Sequence, residues 1–179
     1  MDNDRFKGIL GFVGRITVVH VVTYFVFGFF FAVVQNREAL YAAQPVPFMR
    51  PLTDILVVAG PLFQLIRGPV LALSLYPIRE TLFRNEKKGW LYLWILFLGF
   101  AIIAPVGPSP GSIEGLVYTI VPLEISISGW PEGILQTLAF SYIVYKWEND
   151  RGNRKITIPI TVAFIISIII SALGVFFSS

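Results

Sequence analysis

Long apolar runs separated by short polar stretches make up most of the chain. About 20 residues of α-helix, at a rise of about 1.5 Å per residue, cross the hydrocarbon core of a bilayer, and five runs approach that length. The pattern predicts an all-α protein, namely a polytopic transmembrane helical bundle of five spans. These spans cover residues 16–34, 53–76, 90–106, 130–146 and 156–177, and they form a single integral membrane domain over residues 1–179.

Proline and glycine residues separate or interrupt the predicted spans. The stretch QNREALYAAQPVPFMRP after the first span contains prolines that forbid a continuous helix, and GPSPGS after the third span predicts a tight, uncharged turn. Pro61 and Pro69 each remove a backbone hydrogen-bond donor inside the second span. We therefore expect that helix to be kinked or locally unwound.

The region from Leu116 to Trp147 is too long for one upright span. Its length as a helix would be about 48 Å, and Pro122 and the GWPEG cluster interrupt it. One interpretation is a short interfacial helix over Leu116–Ile127 that leads into a span beginning at Trp130. The alternative is a re-entrant hairpin of two half-crossings.

Basic residues fall mostly on one side of the membrane when the N-terminus is placed in the cytoplasm. Eleven of the 14 lysines and arginines then lie on the cytoplasmic side: Arg5, Lys7, Arg15, Arg79, Arg84, Lys87, Lys88, Lys146, Arg151, Arg154 and Lys155. The positive-inside rule favours this N-in/C-out arrangement, whereas a hairpin at GWPEG would place the last basic cluster outside. We expect a multi-pass protein of the cell membrane.

Composition agrees with a membrane protein. Hydrophobic residues make up 55% of the chain and charged residues only 14%, whereas a soluble domain is about 25% charged. The net charge of +3 is explained by cytoplasmic lysines and arginines, so we predict no nucleic-acid partner. The first apolar run is too long for a signal-peptide core and is expected to be a retained span. The absence of cysteine excludes disulfides, thiolate nucleophiles and Cys-bound metals within this chain.

One charged side chain lies in the middle of the second span, in the stretch AGPLFQLIRGPVLALSLYP. A charge at the centre of a membrane helix costs about 2.5–3.5 kcal/mol on insertion scales, so such a residue usually faces the bundle interior or water. At 100° per residue, Gln64 and Arg67 share a face with small residues. We predict that this face packs inward or lines a cavity.

Polar residues on other predicted helices are candidate partners of Arg67. His20 and Tyr24 lie in the first span, and Glu132 and Gln136 share a face of the fourth. Glu124 precedes the fourth span and reaches Arg67 only if its segment dips into the membrane, so the Arg67–Glu124 pair is a hypothesis. The candidate polar site therefore consists of His20, Tyr24, Gln64, Arg67, Glu124, Glu132 and Gln136.

Three roles for Arg67 stay open at this stage. It could lock the fold by binding a carboxylate and the carbonyls freed near Pro69, extend towards anionic headgroups, or hold an anionic ligand. His20 is the only histidine, so two histidines of this chain cannot hold a haem, and a haem shared with a partner subunit is left open. We predict no cofactor and no metal.

Catalytic motifs are missing from the sequence. It contains no H-E-x-x-H, G-x-S-x-G or G-x-x-x-x-G-K-[ST] pattern, and we do not expect an enzyme. The leading hypothesis is a non-enzymatic subunit or accessory of a membrane assembly, or a homo-oligomer, in contact with membrane lipids. Small-residue stripes motivate it: Gly133, Thr137 and Ser141 in the fourth span, and Ala163, Ser167 and Ser171 in the fifth. The alternative is a small transporter or a lipid- or anion-binding protein with Arg67 at the ligand site.

Two short motifs carry a resemblance to other proteins. The second span contains Q-x-x-R-G followed by A-L-x-L-Y-P, and LEISIS occurs at residues 123–128. Together they resemble a set of small prokaryotic membrane proteins without an assigned function, in which a helix with an arginine and a late helix with a glutamate recur. The resemblance implies that Gln64, Arg67 and Glu124 belong together. The fifth span, ITIPITVAFIISIIISALGVFF, is not part of that pattern.

Overall fold

A computed structural model describes residues 3–42, 50–83, 88–104, 107 and 109–178, and every regular element among them is helical. The all-α prediction is therefore confirmed. The helices are α1 (Asn3–Val34), α2 (Arg37–Ala42), α3 (Ile55–Val58), α4 (Gly60–Leu75), α5 (Arg79–Phe83), α6 (Gly89–Ile103), α7 (Ile113–Tyr118), α8 (Leu123–Ser128), α9 (Trp130–Asn149) and α10 (Arg154–Ser178). A single 3-10 turn, Tyr76–Ile78, joins α4 to α5.

Contacts between helices reveal an alternating arrangement. Gly60 and Gly68 of α4 lie against Tyr24 and Thr17 of α1, so α1 and α4 are antiparallel. By the same argument α1 and α9 are antiparallel, because Arg15 pairs with Glu148 and Gly28 lies near Glu132. The end of α10 reaches α3, where Gly174 meets Val58. Helices α1, α4, α9 and α10 thus run back and forth between two ends of one bundle.

The two ends differ in charge. The basic end is formed by the beginnings of α1, α6 and α10 and by the last turns of α4 and α9. Its described basic residues are Lys7, Arg15, Arg79, Lys88, Lys146, Arg151, Arg154 and Lys155. At the opposite end the described basic residues are Arg37 and Arg50. The charge asymmetry predicted from the sequence is therefore also a spatial one.

Helix α1 is the centre of the packing. It contacts α4, α9 and α10, while α6 packs against the far side of α9. The buried core includes Phe12, Ile16 and Val19 of α1 and is completed by residues of α4, α6 and α9. Phe12 makes edge-to-face contacts with Tyr76 and Phe83, with ring centroids 5.9 Å apart in both pairs. These aromatic contacts place part of the buried core near the basic end.

Length and apolarity identify two described helical segments that are able to cross a membrane. They are Phe6–Val34, with 29 residues, and Arg154–Phe177, with 24 residues. Helix α6 is apolar but has only 15 residues, and α4 has 16. Helix α9 has 20 residues but carries charged side chains near both of its ends. The structure therefore supports two of the five predicted spans on these criteria.

The predicted second span is broken into two helices. Ala59 separates α3 from α4 as a turn residue whose backbone stays in the right-handed helical region, and Pro61 lies in the first turn of α4. Proline suits that position, since the first amides of a helix have no intrahelical acceptor. Pro69 lies inside α4 without ending it. The expected interruption therefore occurs near Pro61, while α4 continues through Pro69.

The segment before α9 also differs from the predicted single helix over residues 116–127. It consists of two short helices, α7 and α8, separated by the extended residues 119–122, and it lies at the opposite end of the bundle. The Trp130 indole N–H donates to the carbonyl of Gly111 at 2.6 Å and anchors the segment to the beginning of α9. The last residues of the predicted third span, 105–106, lie outside the described residues.

Candidate functional site

Two glycines bring α4 close to α1. A Cβ atom at Gly68 would lie 2.7 Å from the Cα atom of Thr17, and one at Gly60 would lie 3.1 Å from the Tyr24 hydroxyl. Contacts this short leave no room for a larger side chain without moving a helix. Gln64, placed between the two glycines along α4, is consequently pressed against α1.

Gln64 is buried, as the sequence predicted, with an exposed fraction of 2%. Its Nε2 donates to the carbonyl of Gly60 at 2.9 Å. The side chain also interacts with His20, although its Oε1 atom meets no donor at hydrogen-bond geometry among the described residues. A buried acceptor without a partner costs about 1–3 kcal/mol, so Gln64 is under-satisfied in the site.

His20 connects Gln64 to the remaining polar groups. Its ring packs edge-to-face on Phe140 of α9, with centroids 5.9 Å apart. The positive charge of Arg67 acts on both His20 and Tyr24, and the negative charge of Glu132 also acts on Tyr24. The structure thus brings His20, Tyr24, Gln64 and Arg67 into one electrostatic neighbourhood.

Arg67 itself does not pack inward but lines a cleft, the second of the two placements predicted for its helix face. Its side chain is exposed, whereas Gln64 and Gly68 on either side are buried. The close approach at Gly68 turns α4 so that Arg67 lies at the edge of the helix contact. Among the described residues, no carboxylate lies within ion-pair distance of Arg67.

Arg67 opens onto a cleft of about 450 Å³ between α4 and α6. Helices α1 and α9 form its floor, where His20, Gln136 and Phe140 lie. Gln136 has no partner among the described residues, and the Thr137 hydroxyl donates to the carbonyl of Gly133 at 2.6 Å. The cleft therefore offers unpaired donors from Arg67 and Gln136 above largely apolar walls.

Glu132 lies elsewhere, at the opposite end of the bundle. Its carboxylate forms an ion pair with Arg37, and both side chains are largely buried. The Nε of Arg37 donates to Gln35, whose amide in turn donates to the carbonyl of Ser128 at 2.7 Å. This network fastens the end of α1 to the beginning of α9 and leaves Glu132 no role as a direct partner of Arg67.

Glu124 does not pair with Arg67 either. It is exposed in the first turn of α8, at the opposite end of the bundle. The hypothesis of an Arg67–Glu124 ion pair required this segment to dip towards the basic end. Because α7 and α8 are anchored instead beside the beginning of α9, the two charges stay apart.

A second charged cluster was missed by the sequence analysis. The Glu148 side chain is only 3% exposed and pairs with Arg15 of α1 and with Arg151, the latter at 2.8 Å. The sequence does contain an indication of this pair. Glu148 is an acidic residue within a predicted basic cluster, on the same side of the membrane as Arg15. The cluster fastens α1 to α9 at the basic end.

Comparison of the chain with protein-family models, with curated proteins and with solved structures found no match. Among the described residues, no group of three or more His, Asp or Glu side chains is placed to hold a metal ion. Function must therefore be argued from the geometry of the cleft.

Proposed function

We propose that the protein is a multi-pass protein of the cell membrane in which α1, α3 with α4, α6, α9 and α10 each cross the bilayer. The exposed surface supports this proposal. Large apolar side chains cover the outside of α10, including Ile158, Val162, Ile165, Ile166, Ile169, Ile170, Leu173 and Phe176, each about half exposed or more. A continuous apolar surface of this kind is rare on soluble proteins and is expected where a helix faces lipid.

The charges of α9 are compatible with a crossing because they are near its ends and are paired. Glu132 binds Arg37 at one end, and Glu148 binds Arg15 at the other. Helix α6 would measure about 22 Å, which is short for a 30 Å hydrocarbon core and implies local thinning of the bilayer. The concentration of lysine and arginine at the basic end favours a cytoplasmic N-terminus and an external C-terminus.

Within this architecture, we infer that the protein binds an anionic ligand at Arg67. One observation carries the proposal: Arg67 is exposed to a cleft and has no carboxylate partner among the described residues. A guanidinium in an apolar membrane environment requires a counter-charge, and its planar fork suits a phosphate or carboxylate group. Gln136, also in the cleft, adds an amide donor.

The position of Arg67 along the bundle suggests where the ligand enters. Gly68 lies opposite Thr17, only two residues, or about 3 Å of helix, from the Arg15 that pairs with Glu148. Arg67 is therefore within reach of the headgroup region at the basic end. The ligand is either the phosphate of a lipid in that leaflet or a soluble oxyanion such as phosphate.

Native mass spectrometry of the purified protein tests this function. We expect the wild type to retain an anionic adduct, Arg67→Gln to lose it by tenfold or more, and Arg67→Lys to bind severalfold more weakly because the bidentate fork is lost. Arg154→Gln, which removes an exposed charge from a different helix, is the matched control and should behave as wild type. An adduct mass equal to a phospholipid identifies a headgroup, whereas an adduct that exchanges with added inorganic phosphate identifies a soluble oxyanion.

Two outcomes contradict the proposal. One is a wild-type protein without an anionic adduct, and the other is an Arg67→Gln variant that carries as many anionic adducts as the wild type. Arg67→Leu tests the alternative that Arg67 stabilises the fold. The variant should match the wild type in expression level and melting temperature, because Arg67 forms no ion pair with a carboxylate in the part of the chain that the structure describes. Loss of folding in Arg67→Leu would favour that alternative.

Assembly with other membrane subunits, or self-association, stays a prediction. Half of the small residues in the stripes that motivated it are buried inside this chain: Ser141 is completely buried, and Ser167 and Ser171 are 2% and 3% exposed. These three serines serve packing between helices of one molecule and are not accessible to a second chain. For this reason we favour ligand binding at Arg67 over a purely structural role.

A further inference from the structure

Helices α9 and α10 are joined by the short segment 150–153 but do not pack along each other. Helix α9 packs on α1 and α6, whereas α10 packs on α1, α3 and α4. The two helices consequently leave a groove of about 720 Å³ between them at the basic end. Helix α9 also contributes to the Arg67 cleft, but the groove and the cleft share no lining residue.

The groove has a basic mouth and apolar walls. Lys146 of α9 and Lys155 of α10 line it from both sides, and both lysines are exposed. Deeper along the helices the walls consist of Ile143, Ile156 and Ile160. The groove thus places two positive charges above an apolar channel. This arrangement is complementary to an anionic phospholipid, which has a charged headgroup above apolar acyl chains.

Other polar groups at the groove leave the lysines available. Asp150 lies at the mouth, where its carboxylate accepts a hydrogen bond from the Asn153 amide at 2.7 Å. Glu148 is engaged by Arg15 and Arg151. The Lys146 ammonium lies 5.7 Å from the centre of the Tyr142 ring, an interaction that orients the charge without neutralising it.

We propose that the α9–α10 groove is a binding site for an anionic phospholipid of the leaflet at the basic end. The headgroup phosphate lies between Lys146 and Lys155, and an acyl chain fills the apolar channel. Basic pockets between membrane helices on the cytoplasmic side are suited to such headgroups. The inference rests on the membrane embedding proposed above but not on ligand binding at Arg67.

Lipid titration followed by native mass spectrometry tests the groove. All proteins carry Arg67→Gln, so that the cleft does not contribute, and they are titrated with phosphatidylglycerol or with zwitterionic phosphatidylcholine. With both groove lysines intact, we expect phosphatidylglycerol to bind more tightly than phosphatidylcholine. The additional pair Lys146→Gln and Lys155→Gln should weaken phosphatidylglycerol binding by about tenfold and abolish the preference.

The pair Lys7→Gln and Lys88→Gln is the control, because it removes two exposed charges from the same end but outside the groove. This control should keep the preference for phosphatidylglycerol. Equal loss in the control pair would overturn the groove site and indicate a general attraction to the basic end. The groove site would also be overturned if the protein with both groove lysines bound phosphatidylglycerol and phosphatidylcholine equally. If the protein with an intact Arg67 carried no adduct that depends on Arg67, only the proposed function would be contradicted.

Discussion

Two arginines of this chain have opposite surroundings. Arg15 forms an ion pair with the buried Glu148, so its charge is used to join α1 to α9. Arg67 is exposed at a cleft, and no carboxylate of the residues that the structure describes lies within ion-pair distance of it. The contrast assigns a structural role to the first and leaves the second available to a ligand.

The Glu148 cluster makes a prediction about stability. Glu148→Gln should lower the free energy of unfolding in detergent by about 3 kcal/mol, since it leaves the largely buried Arg15 charge uncompensated. Arg151→Gln removes only the exposed partner and should cost less than about 1 kcal/mol. Denaturant titration of both variants measures the difference, and equal stability would contradict the structural role.

Helical periodicity could predict Gln64 but not the orientation of Arg67. At 100° per residue, the buried residues of α4 centre roughly 85° away from Arg67, on the side of Gly68. A glycine has no side chain that contributes to a hydrophobic pattern, yet Gly68 decides which side of Gln64 touches α1. Periodicity alone therefore left two placements open for this face, and Gln64 packs inward while Arg67 lines the cleft.

At the scale of elements, the close contact between α1 and α4 depends on Gly68, which has no side chain. Gly68→Ala should destabilise the protein by about 1–3 kcal/mol, because the new Cβ meets the backbone of Thr17 at 2.7 Å. Gly99→Ala in α6 is the matched control. Its Cβ meets nothing within 4 Å, so the better helix propensity of alanine should stabilise by up to about 1 kcal/mol.

Thermal melting of the two variants in detergent provides this comparison. The account of the α1–α4 crossing would be wrong if Gly68→Ala melted at or above the temperature of the Gly99→Ala variant. Arg67→Gln should not alter either result, since the cleft is open at that side chain.

Helix boundaries could be predicted where a local rule applies. Pro61 predicted a break in the second span, and the structure has it between α3 and α4. Pro69 gave a similar expectation, and there α4 continues without ending. The division of residues 113–128 into α7 and α8 depends on long-range anchors such as Trp130 on Gly111, which no local pattern contains.

At the scale of the whole molecule, the apolar runs predicted helices in each of the five segments, and two of the described helices are long and apolar enough to cross a membrane. The apolar runs did not predict that α9 and α10, though adjacent in sequence, would separate and leave a basic groove. Short connections favour neighbouring helices that pack together, whereas here both helices pack on α1 instead. Whether α9 and α10 pack on each other or on α1 depends on the surfaces of all three helices.

Five crossings are the central claim, because they place Arg67 and the α9–α10 groove in contact with lipid. The chain lacks cysteine, so single cysteines can be introduced without competing thiols. Glu38 and Glu124 are exposed at the opposite end of the bundle, and Lys88 and Gly152 are exposed at the basic end. Each of the four positions lies in a different connection between crossings.

The most direct measurement is the labelling of these four single-cysteine variants by a membrane-impermeant maleimide in intact cells and after permeabilisation. We predict that Glu38→Cys and Glu124→Cys react in intact cells, whereas Lys88→Cys and Gly152→Cys react only after the membrane is opened. Reaction of Gly152→Cys from outside, or equal accessibility of Glu38→Cys and Lys88→Cys, would contradict the five-crossing arrangement.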